Sequence, residues 1–407
     1  MRKKVAVVSP GGLPVPNVCG GAVETGIQQI VEENEIHGWV DLTVYSIWNE
    51  KAQKSASGYH NTRFVFIRDT KRSRWSRSVR KIVNKILSKF CSGKIRFTYR
   101  YFYIKEVQSY IQKEAFDIVL IKNAVEYVEW LRPVVKNKLY LQIHNDFLNC
   151  NTYHAKQIYE LCDLVIVNSE YIKTRVLTIA DSDANKVAVN KNCIETKRFE
   201  RENLDECELR KWKEKIGSID GEKIILYSGR INPDKGVLEL AKAVAQLPNN
   251  IPYRLVLMGS KWYGKSTNDI YVKKVRKELN SVIDKVSILG FVPYERVPYI
   301  YNLADILIVP SQWEEPAGRV VIEGQASRAA LIISDAGGMR EYTNPQAAII
   351  IKRGPSFVEN LKKSVVRLIQ DEEYRKELSK NGFACVQSYT SECYYKDIMS
   401  IMQCEES

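Results

Sequence analysis

The sequence predicts an α/β protein with two Rossmann-like domains that face each other across a cleft. Short apolar runs alternate with amphipathic stretches from one end of the chain to the other, which is typical of parallel strands covered by helices on both faces. The pattern restarts after residue 220, and 407 residues are too many for one ordinary core. Two domains of similar architecture account for both observations.

The apolar runs of the first half predict six strands, at residues 5–9, 42–45, 64–67, 118–121, 139–143 and 164–168. Those after residue 220 predict six more, at residues 224–228, 254–258, 286–289, 306–310, 331–334 and 348–351. Amphipathic stretches between them, among them 22–33, 236–246 and 320–329, predict helices. Ligands of open α/β sheets bind at the carboxyl ends of the strands, so we expect functional motifs directly after these runs.

A charged and polar segment between residues 199 and 221 has no strand pattern and predicts the domain junction. We expect an N-terminal domain over residues 1–203 and a C-terminal domain over residues 204–385. A final helix, within residues 386–407, is expected to pack back on the N-terminal domain.

Composition and cysteine usage narrow the class of protein. Hydrophobic residues make up 45% and charged residues 27%, the balance of a folded soluble protein, and no run approaches the ~18 apolar residues of a membrane helix. The N-terminal apolar run is short and ends at Pro10, which predicts a first strand and not a signal peptide. Nine cysteines without a Cys-x-x-Cys pair predict reduced thiols in the cytoplasm, and four scattered histidines add no metal-ligand spacing.

The strongest motif follows the run at residues 306–310. It contains Glu315 and Glu323, with Gly318 between them where a helix is expected to begin. Free backbone N–H groups of residues 317–319 would attract an anion such as phosphate. A carboxylate accepts two hydrogen bonds from neighbouring hydroxyls, so Glu323 suits a ribose diol and Glu315 suits sugar hydroxyls.

A second motif follows the run at residues 224–228. Gly229 predicts a tight turn, and Gly236 opens the next helix. Between them lie two cations, Arg230 and Lys235. A guanidinium fork and an ammonium group can together neutralise a diphosphate leaving group.

Two weaker motifs lie in the first half of the chain. Gly20 and Gly21 precede a predicted helix and would let the backbone approach a ligand closely, although they do not form a dinucleotide-binding fingerprint. His144 ends the strand predicted at residues 139–143, at its carboxyl edge.

Together and in this order, the motifs resemble family 4 of the glycosyltransferases, whose fold is called GT-B. The resemblance covers nearly the whole chain and includes the segments 163–172, 289–292 and 335–338. It implies a retaining transfer, without a divalent metal or other cofactor, of a hexosyl or N-acetylhexosaminyl unit from a nucleotide-diphosphate sugar, with a UDP-sugar favoured. The C-terminal domain would bind this donor, and the N-terminal domain would face the acceptor.

The resemblance also implies a role for each motif residue. His144 would sit near the reacting carbon, and it would form the catalytic group with Arg230, Lys235 and Glu315. Phe291 would border the base. Donor contacts are expected from Gly20, Gly21, Gly229, Arg230, Lys235, Gly259, Phe291, Glu315, Ala317, Gly318, Arg319 and Glu323.

Three features depart from the family's pattern. Ala317-Gly318 stands where the family often has Phe-Gly, which would reshape the sugar pocket. Asn192-Cys193 stands where an Asn-Gly turn is common. An unusual segment, residues 15–19, precedes the glycine pair.

Residues 70–105 carry twelve Lys or Arg and no Asp or Glu. Apolar residues recur there at helical spacing, with cations mainly on the other face, which is the pattern of a helix lying in an anionic membrane surface. The expected surface comprises Trp75, Arg77, Lys81, Lys85, Lys89 and Phe90. Tyr99, Tyr101, Phe102 and Tyr103 follow and are expected at headgroup level.

These features predict a cytoplasmic protein, peripheral on the inner face of the cell membrane, with a glycan or polyprenyl-linked acceptor in surface polysaccharide assembly. Three other readings remain open. A sugar-nucleotide epimerase shares the architecture and would release product from the donor without a lipid acceptor. A nucleic-acid-binding protein would use the basic segment and show steep salt dependence, although we expect no nucleic-acid partner. A lectin-like scaffold would bind glycan and tolerate Glu323→Ala.

Overall fold

A computed structural model describes residues 2–90, 98, 100–259 and 270–404. Its contacts divide the chain into two compact units. Unit 1 contains the residues up to Lys191 and those from Ser391 onward, and unit 2 runs from Asn192 to Thr390. Each unit has its own hydrophobic core.

Unit 1 is built on a seven-stranded parallel sheet with the order β3-β2-β1-β4-β5-β6-β7. Its strands are β1 (Lys3–Val8), β2 (Val40–Ile47), β3 (Thr62–Ile67), β4 (Ile118–Lys122), β5 (Lys138–Ile143), β6 (Leu164–Val167) and β7 (Val187–Val189). Its helices, up to the end of that sheet, are α1 (Ala22–His37), α2 (Glu50–Ala56), α3 (Lys71–Phe90), α4 (Tyr101–Lys113), α5 (Tyr127–Leu131), α6 (Ala155–Leu161) and α7 (Glu170–Val176).

Unit 2 is built on a six-stranded parallel sheet with the order β10-β9-β8-β11-β12-β13. Its strands are β8 (Lys223–Ser228), β9 (Tyr253–Met258), β10 (Val286–Gly290), β11 (Ile306–Val309), β12 (Ala330–Ser334) and β13 (Ala348–Ile351). Its helices are α8 (Glu206–Ile216), α9 (Val237–Val244), α10 (Ile270–Glu278), α11 (Val297–Leu303), α12 (Arg319–Ala326), α13 (Phe357–Gln370) and α14 (Glu372–Val386).

The strands are Val, Ile and Leu runs that the helices cover on both faces. All five residues of β4 and all five of β12 are buried, as expected for central parallel strands. The two Rossmann-like domains and all twelve predicted strands are therefore confirmed. The sequence analysis missed only β7, a three-residue edge strand.

The unit boundaries differ from the expected positions at residues 203 and 385. Ile194 and Phe199 are fully buried in a core cluster of unit 2. Val386 is buried in the same cluster, and Tyr389 packs against it. Hydrophobic packing, rather than the polar composition of the junction, thus sets where each unit begins.

The last helix, α15 (Ser391–Ile401), belongs to unit 1 and packs on α1. Tyr394 and Tyr395 of α15 are buried there. Tyr395 donates a hydrogen bond from its hydroxyl to Asn34 Oδ1 at 2.7 Å, and the buried Lys122 Nζ donates to the Tyr394 hydroxyl at 3.1 Å. These buried polar contacts tie the C-terminal helix to the first sheet.

Candidate functional site

Two motifs of unit 2 meet at the carboxyl edge of its sheet. Arg230 and Lys235 follow β8, and Glu315 follows β11, the strand paired next to β8. Lys235 Nζ lies 2.6 Å from Glu315 Oε1. The sequence-predicted cation and carboxylate are therefore in direct contact.

A glycine makes this approach of two loops possible. Gly236 has φ +67°, and a Cβ added there would lie 1.8 Å from the carbonyl oxygen of Pro310, the residue after β11. The amide of Gln312 donates a hydrogen bond to the carbonyl of Asp234 at 2.7 Å. The backbone after β8 thus lies directly against the backbone after β11.

Glu315 is held from several sides. Its side chain is buried, and Ser311 donates a hydrogen bond from Oγ to Oε1 at 2.5 Å. The amide of Gly338 donates to the Glu315 carbonyl at 2.7 Å, and a Cβ on Gly337 would lie 2.3 Å from that oxygen. The glycine pair at residues 337–338 therefore supports Glu315. Sequence reasoning missed Ser311, although its place directly after β11 was a usable signal.

Arg230 is the second residue after β8, in the loop that also carries Lys235. It is exposed, and the buried Tyr227 donates a hydrogen bond from its hydroxyl to the Arg230 carbonyl at 2.7 Å. This contact fixes the backbone and leaves the guanidinium facing solvent. The arrangement suits a group that meets an incoming anion.

Helix α12 begins at Arg319, directly after Gly318, as the sequence predicted. A Cβ on Gly318 would lie 3.1 Å from the Met339 carbonyl oxygen, so the chain is close-packed there. The first amides of any α-helix lack intrahelical acceptors and attract anions. Ala317, Gly318 and Arg319 therefore present a phosphate-compatible helix start on the loop that carries Glu315.

Glu323 is buried one turn into α12 and has two partners. Tyr301 donates a hydrogen bond from its hydroxyl to Oε2 at 3.0 Å, and Arg319 donates from Nε to Oε1 at 3.4 Å. Burial raises the pKa of Glu323, and Arg319 and Tyr301 offset part of that rise. Arg319 also donates to the Tyr294 hydroxyl at 3.0 Å. Neither tyrosine had a sequence signal, because both contacts depend on how α11 and its preceding turn pack.

Three further predicted residues lie at the ends of neighbouring strands. The amide of Gly229 donates to the Met258 carbonyl at 3.0 Å, and that of Gly259 donates to the Gly290 carbonyl at 2.7 Å. A Cβ on Gly259 would lie 1.8 Å from the Gly229 carbonyl oxygen. Phe291 follows β10 and is 49% exposed. The ten predicted donor residues of unit 2 are thus at or near one edge of one sheet.

In unit 1, the other predicted residues lie at the carboxyl edge of the first sheet. Gly21 precedes α1 with φ +116°, and a Cβ there would lie 2.3 Å from Glu24 Oε2. Burial raises the pKa of Glu24, which packs under the loop that contains Gly20. His144 follows β5, and its amide donates to Asn123 Oδ1 at 3.0 Å. Gly20, Gly21 and His144 all belong to unit 1.

The basic segment is partly as expected. Helix α3 forms, and Trp75 and Ile82 are 70% and 61% exposed. Lys81 and Lys85 are exposed, whereas the side chains of Lys89 and Phe90 lie outside the described residues. Arg77 was predicted to belong to the exposed basic surface. Instead, its Nη2 forms an ion pair with Asp69 Oδ2 at 2.8 Å.

The aromatic residues after this helix were expected at headgroup level, but Tyr101, Phe102 and Tyr103 are buried or half-buried. Tyr103 is buried, and its hydroxyl donates to the Tyr45 carbonyl at 2.9 Å. Tyr101 is half-buried and packs on Trp130, and Phe102 packs on Tyr101. One face of α4 is buried in the core, and Tyr103 lies on this face together with Ile104, Val107 and Ile111. Tyr99 lies outside the described residues.

Three general observations complete the description. Within residues 2–90, 98, 100–259 and 270–404, no group of three or more acidic, His or Cys side chains is placed to hold a metal ion. In the same part of the chain, every cysteine is free. No helix that the structure describes has the length and apolar character required to cross a membrane.

Comparison with known proteins places this geometry in context. Residues 209–384 match the family model of glycosyl transferases group 1. A putative glycosyltransferase, YtcC, of Bacillus subtilis is 22% identical over 93% of this chain and 86% of its own length. The lipopolysaccharide 1,2-N-acetylglucosaminetransferase of Salmonella typhimurium is 27% identical over 59% of this chain and 60% of its own length.

Solved structures agree on the fold. Anabaena HepE in complex with UDP superposes with a TM-score of 0.73 at 17% identity, covering 99% of this chain and 100% of that chain. A sucrose-phosphate synthase from Thermosynechococcus elongatus gives a TM-score of 0.70 at 18% identity, covering 99% and 98%. The family match, the relatives named glycosyltransferases and these structures together support a glycosyltransferase with the GT-B fold.

Proposed function

We propose that this chain transfers a hexosyl or N-acetylhexosaminyl unit from a UDP-sugar to a glycan or lipid-linked acceptor, with retention of configuration and without a divalent metal. The contact that carries the proposal is the 2.6 Å approach of Lys235 to Glu315. It joins a cation suited to a diphosphate to a carboxylate suited to sugar hydroxyls. The complexes of Anabaena HepE with UDP and with UDP-glucose support the choice of donor.

The donor's negative charge would meet three groups in unit 2. Lys235 and Arg230 supply positive charge, and the first amides of α12 supply hydrogen-bond donors. These groups stabilise charge that develops on the diphosphate as it leaves, which is the role expected of fixed donors in such a reaction. Glu315 would accept hydrogen bonds from the sugar, and Glu323 would accept them from the ribose.

The transfer itself needs one bond to break and one to form. The bond between the sugar's anomeric carbon and the diphosphate oxygen breaks, and the acceptor hydroxyl attacks the same face. The acceptor's proton passes to the leaving phosphate oxygen, so the step needs no separate general base. His144 would lie near the reacting carbon and help to position the sugar.

A thermal-shift experiment tests the donor site. We expect UDP, but not GDP or ADP, to stabilise the protein by about 2.7 kcal/mol at 100 times its dissociation constant. Lys235→Ala and Glu323→Ala should lose most of this shift. Lys274→Ala on α10 and Glu377→Ala on α14 are matched controls, because both side chains are exposed on helices of the same unit.

Three results would contradict the proposal. Stabilisation by an oligonucleotide and by no nucleoside diphosphate would favour nucleic-acid binding by the basic segment. Release of epimerised sugar from the donor without any acceptor would favour an epimerase. Loss of activity in EDTA, restored by a divalent cation, would refute the metal-independent mechanism.

The acceptor is proposed to be a growing surface glycan carried at the inner face of the cell membrane, as the Salmonella lipopolysaccharide enzyme's name suggests for a relative. Helix α3 supports this part of the proposal. Trp75, Val79 and Ile82 form an exposed apolar stripe at helical spacing, flanked by exposed Arg74 and Lys81. Such a face suits an anionic lipid surface.

Vesicle sedimentation tests the membrane contact. We expect binding to vesicles that contain phosphatidylglycerol and little binding to pure phosphatidylcholine. The double variant Trp75→Ser with Ile82→Ser should weaken binding by at least about 10-fold, since each large side chain contributes roughly 1.5–3 kcal/mol when buried. Ile36→Ser is the matched control, because Ile36 is 74% exposed on α1 of the same unit. An equal loss in the control would refute a role for α3.

A further inference from the structure

Trp313 is a large aromatic side chain in the loop after β11 that has no role in the donor site described above. It lies two residues before Glu315 and is 37% exposed. Within the residues that the structure describes, its indole N–H has no hydrogen-bond partner. An aromatic side chain with a free donor beside a ligand site is placed to contact the ligand itself.

Trp313 and Glu315 contact the same ammonium group. Lys235 Nζ lies 5.5 Å from the centroid of the Trp313 ring and 2.6 Å from Glu315 Oε1. The carboxylate of Glu314, the residue between them, has a different partner and accepts a hydrogen bond from the amide of Gly337 at 2.5 Å. The indole ring and the Glu315 carboxylate therefore both border Lys235.

The loop that carries Trp313 is fixed from two sides. The amide of Gln312 donates a hydrogen bond to the Asp234 carbonyl at 2.7 Å. From the segment after β13, Arg353 donates from Nη1 to the Gln312 carbonyl at 3.0 Å and also forms an ion pair with Glu314. The residues before and after Trp313 are thus held while its ring stays partly exposed. A ring held in this way loses little conformational entropy when a ligand binds.

The chemistry around Lys235 suits a sugar. A sugar ring carries hydroxyl groups at its edge and C–H groups on its faces. The Glu315 carboxylate accepts hydrogen bonds from hydroxyls, and an aromatic ring can cover a C–H face and remove its apolar area from water. The free indole N–H adds a donor, which a carboxylate lacks. A phosphate fits the ring poorly, because the face of an aromatic ring is electron-rich.

We propose that Trp313 is a sugar-binding residue of the donor site, with its ring packed against the C–H face of the transferred hexose. This inference rests on the proposed function, because it assigns a residue that recognises the sugar of the same donor. Arg353 is a positioning residue for Trp313, since it holds the residues on either side of the ring. The nucleotide sugar would contact the ring, whereas the bare nucleotide would not.

Calorimetric titration with UDP, UDP-glucose and UDP-N-acetylglucosamine tests the assignment. Trp313→Ala should weaken binding of the UDP-sugar that wild type prefers by about 10-fold, the effect of about 55 Å² of apolar surface left unburied. Binding of UDP should stay nearly unchanged. Trp313→Phe keeps an aromatic face and should recover most of the loss. Trp48→Ala is the matched control, because Trp48 is also 37% exposed but lies in unit 1.

Arg353→Met tests the positioning role. The substitution removes both contacts of the guanidinium and should weaken binding of the UDP-sugar by about 3- to 10-fold, again with UDP nearly unchanged. Arg353→Lys should restore part of the affinity, because an ammonium group can still pair with Glu314. Lys352→Met, at the exposed neighbouring residue, should change neither ligand.

Three results would overturn the inference. Equal losses for UDP and the UDP-sugar in Trp313→Ala would make the ring a support for Lys235, and unchanged binding of both would remove it from the site. Binding of UDP but of neither UDP-sugar by wild type would show that the site does not recognise the sugar. If wild type binds none of the three ligands, the proposed donor itself fails, and that outcome is distinct from the other three.

Discussion

Substitution of Gly236 by alanine should damage the donor site without removing any charged group. The residue has φ +67°, a conformation that costs an L-amino acid about 1–2 kcal/mol. In addition, the new Cβ would lie 1.8 Å from the Pro310 carbonyl oxygen, so the two loops must separate by more than about 1.5 Å. Overpacking of this kind costs about 1–3 kcal/mol more. We therefore expect Gly236→Ala to lower the free energy of unfolding by about 2–5 kcal/mol.

Gly217→Ala is the matched control for this substitution. Gly217 ends α8 with φ +70°, and no atom lies within 4 Å of an added Cβ. It should therefore show the conformational cost alone, about 1–2 kcal/mol. Urea denaturation followed by circular dichroism measures both variants. The difference between them isolates the clash with Pro310.

Binding should separate the two variants further. Separation of the loops moves Lys235 away from Glu315, which now lie 2.6 Å apart. A displacement of about 1 Å in a positioned site can cost about 100-fold. We expect Gly236→Ala to lose UDP affinity by at least 10-fold, while Gly217→Ala keeps it. If the two variants match in stability and in UDP binding, the close approach of the two loops is not what builds the site.

Two further predictions concern the carboxylates. Ser311→Ala removes the 2.5 Å hydrogen bond from Ser311 to Glu315. It should lower the affinity for the sugar donor by about 5- to 10-fold and leave the affinity for UDP nearly unchanged. An equal effect on both ligands would contradict a sugar-binding role for Glu315. Burial raises the pKa of Glu323 from 4.5, so its ionisation opposes folding as pH rises above that value. Glu323→Gln should therefore gain stability relative to wild type between pH 4.5 and 7 in urea denaturation, and the exposed Glu377→Gln should not; a flat difference would mean that Arg319 fully compensates the charge.

Much of the fold follows from the sequence because both sheets are parallel and buried. Strands covered on both faces need continuous apolar runs, and these runs are visible without an alignment. β7 was not predicted, because an edge strand of three residues is too short to give a recognisable apolar run. The contact-defined units divide at residue 191 and not at residue 203, because Ile194 and Phe199 join the core of unit 2 through packing that composition does not reveal.

The candidate site also contains residues that the sequence predicts and residues that it does not. Lys235 and Glu315 were predictable because each follows a strand, and the carboxyl ends of parallel strands meet at one edge. Ser311, Tyr301 and Tyr294 were not predicted, because their contacts depend on side chains from different elements meeting in space. The close backbone approach at Gly236 was equally invisible, since the sequence gives a glycine but not what lies opposite it.

The orientation of helix α3 on unit 1 does not follow from its hydrophobic periodicity alone. The pattern correctly grouped Trp75, Val79 and Ile82 on one face, but periodicity alone does not say which face meets the protein. Asp69 decides the matter, because its half-buried carboxylate is paired by Ser73 and Arg77 on the opposite face. Turning the apolar face inward would bury side chains but leave Asp69 without these partners, and an unpaired buried carboxylate costs more than an exposed apolar side chain. The ion pair between Asp69 and Arg77 therefore accounts for the outward orientation of Trp75 and Ile82.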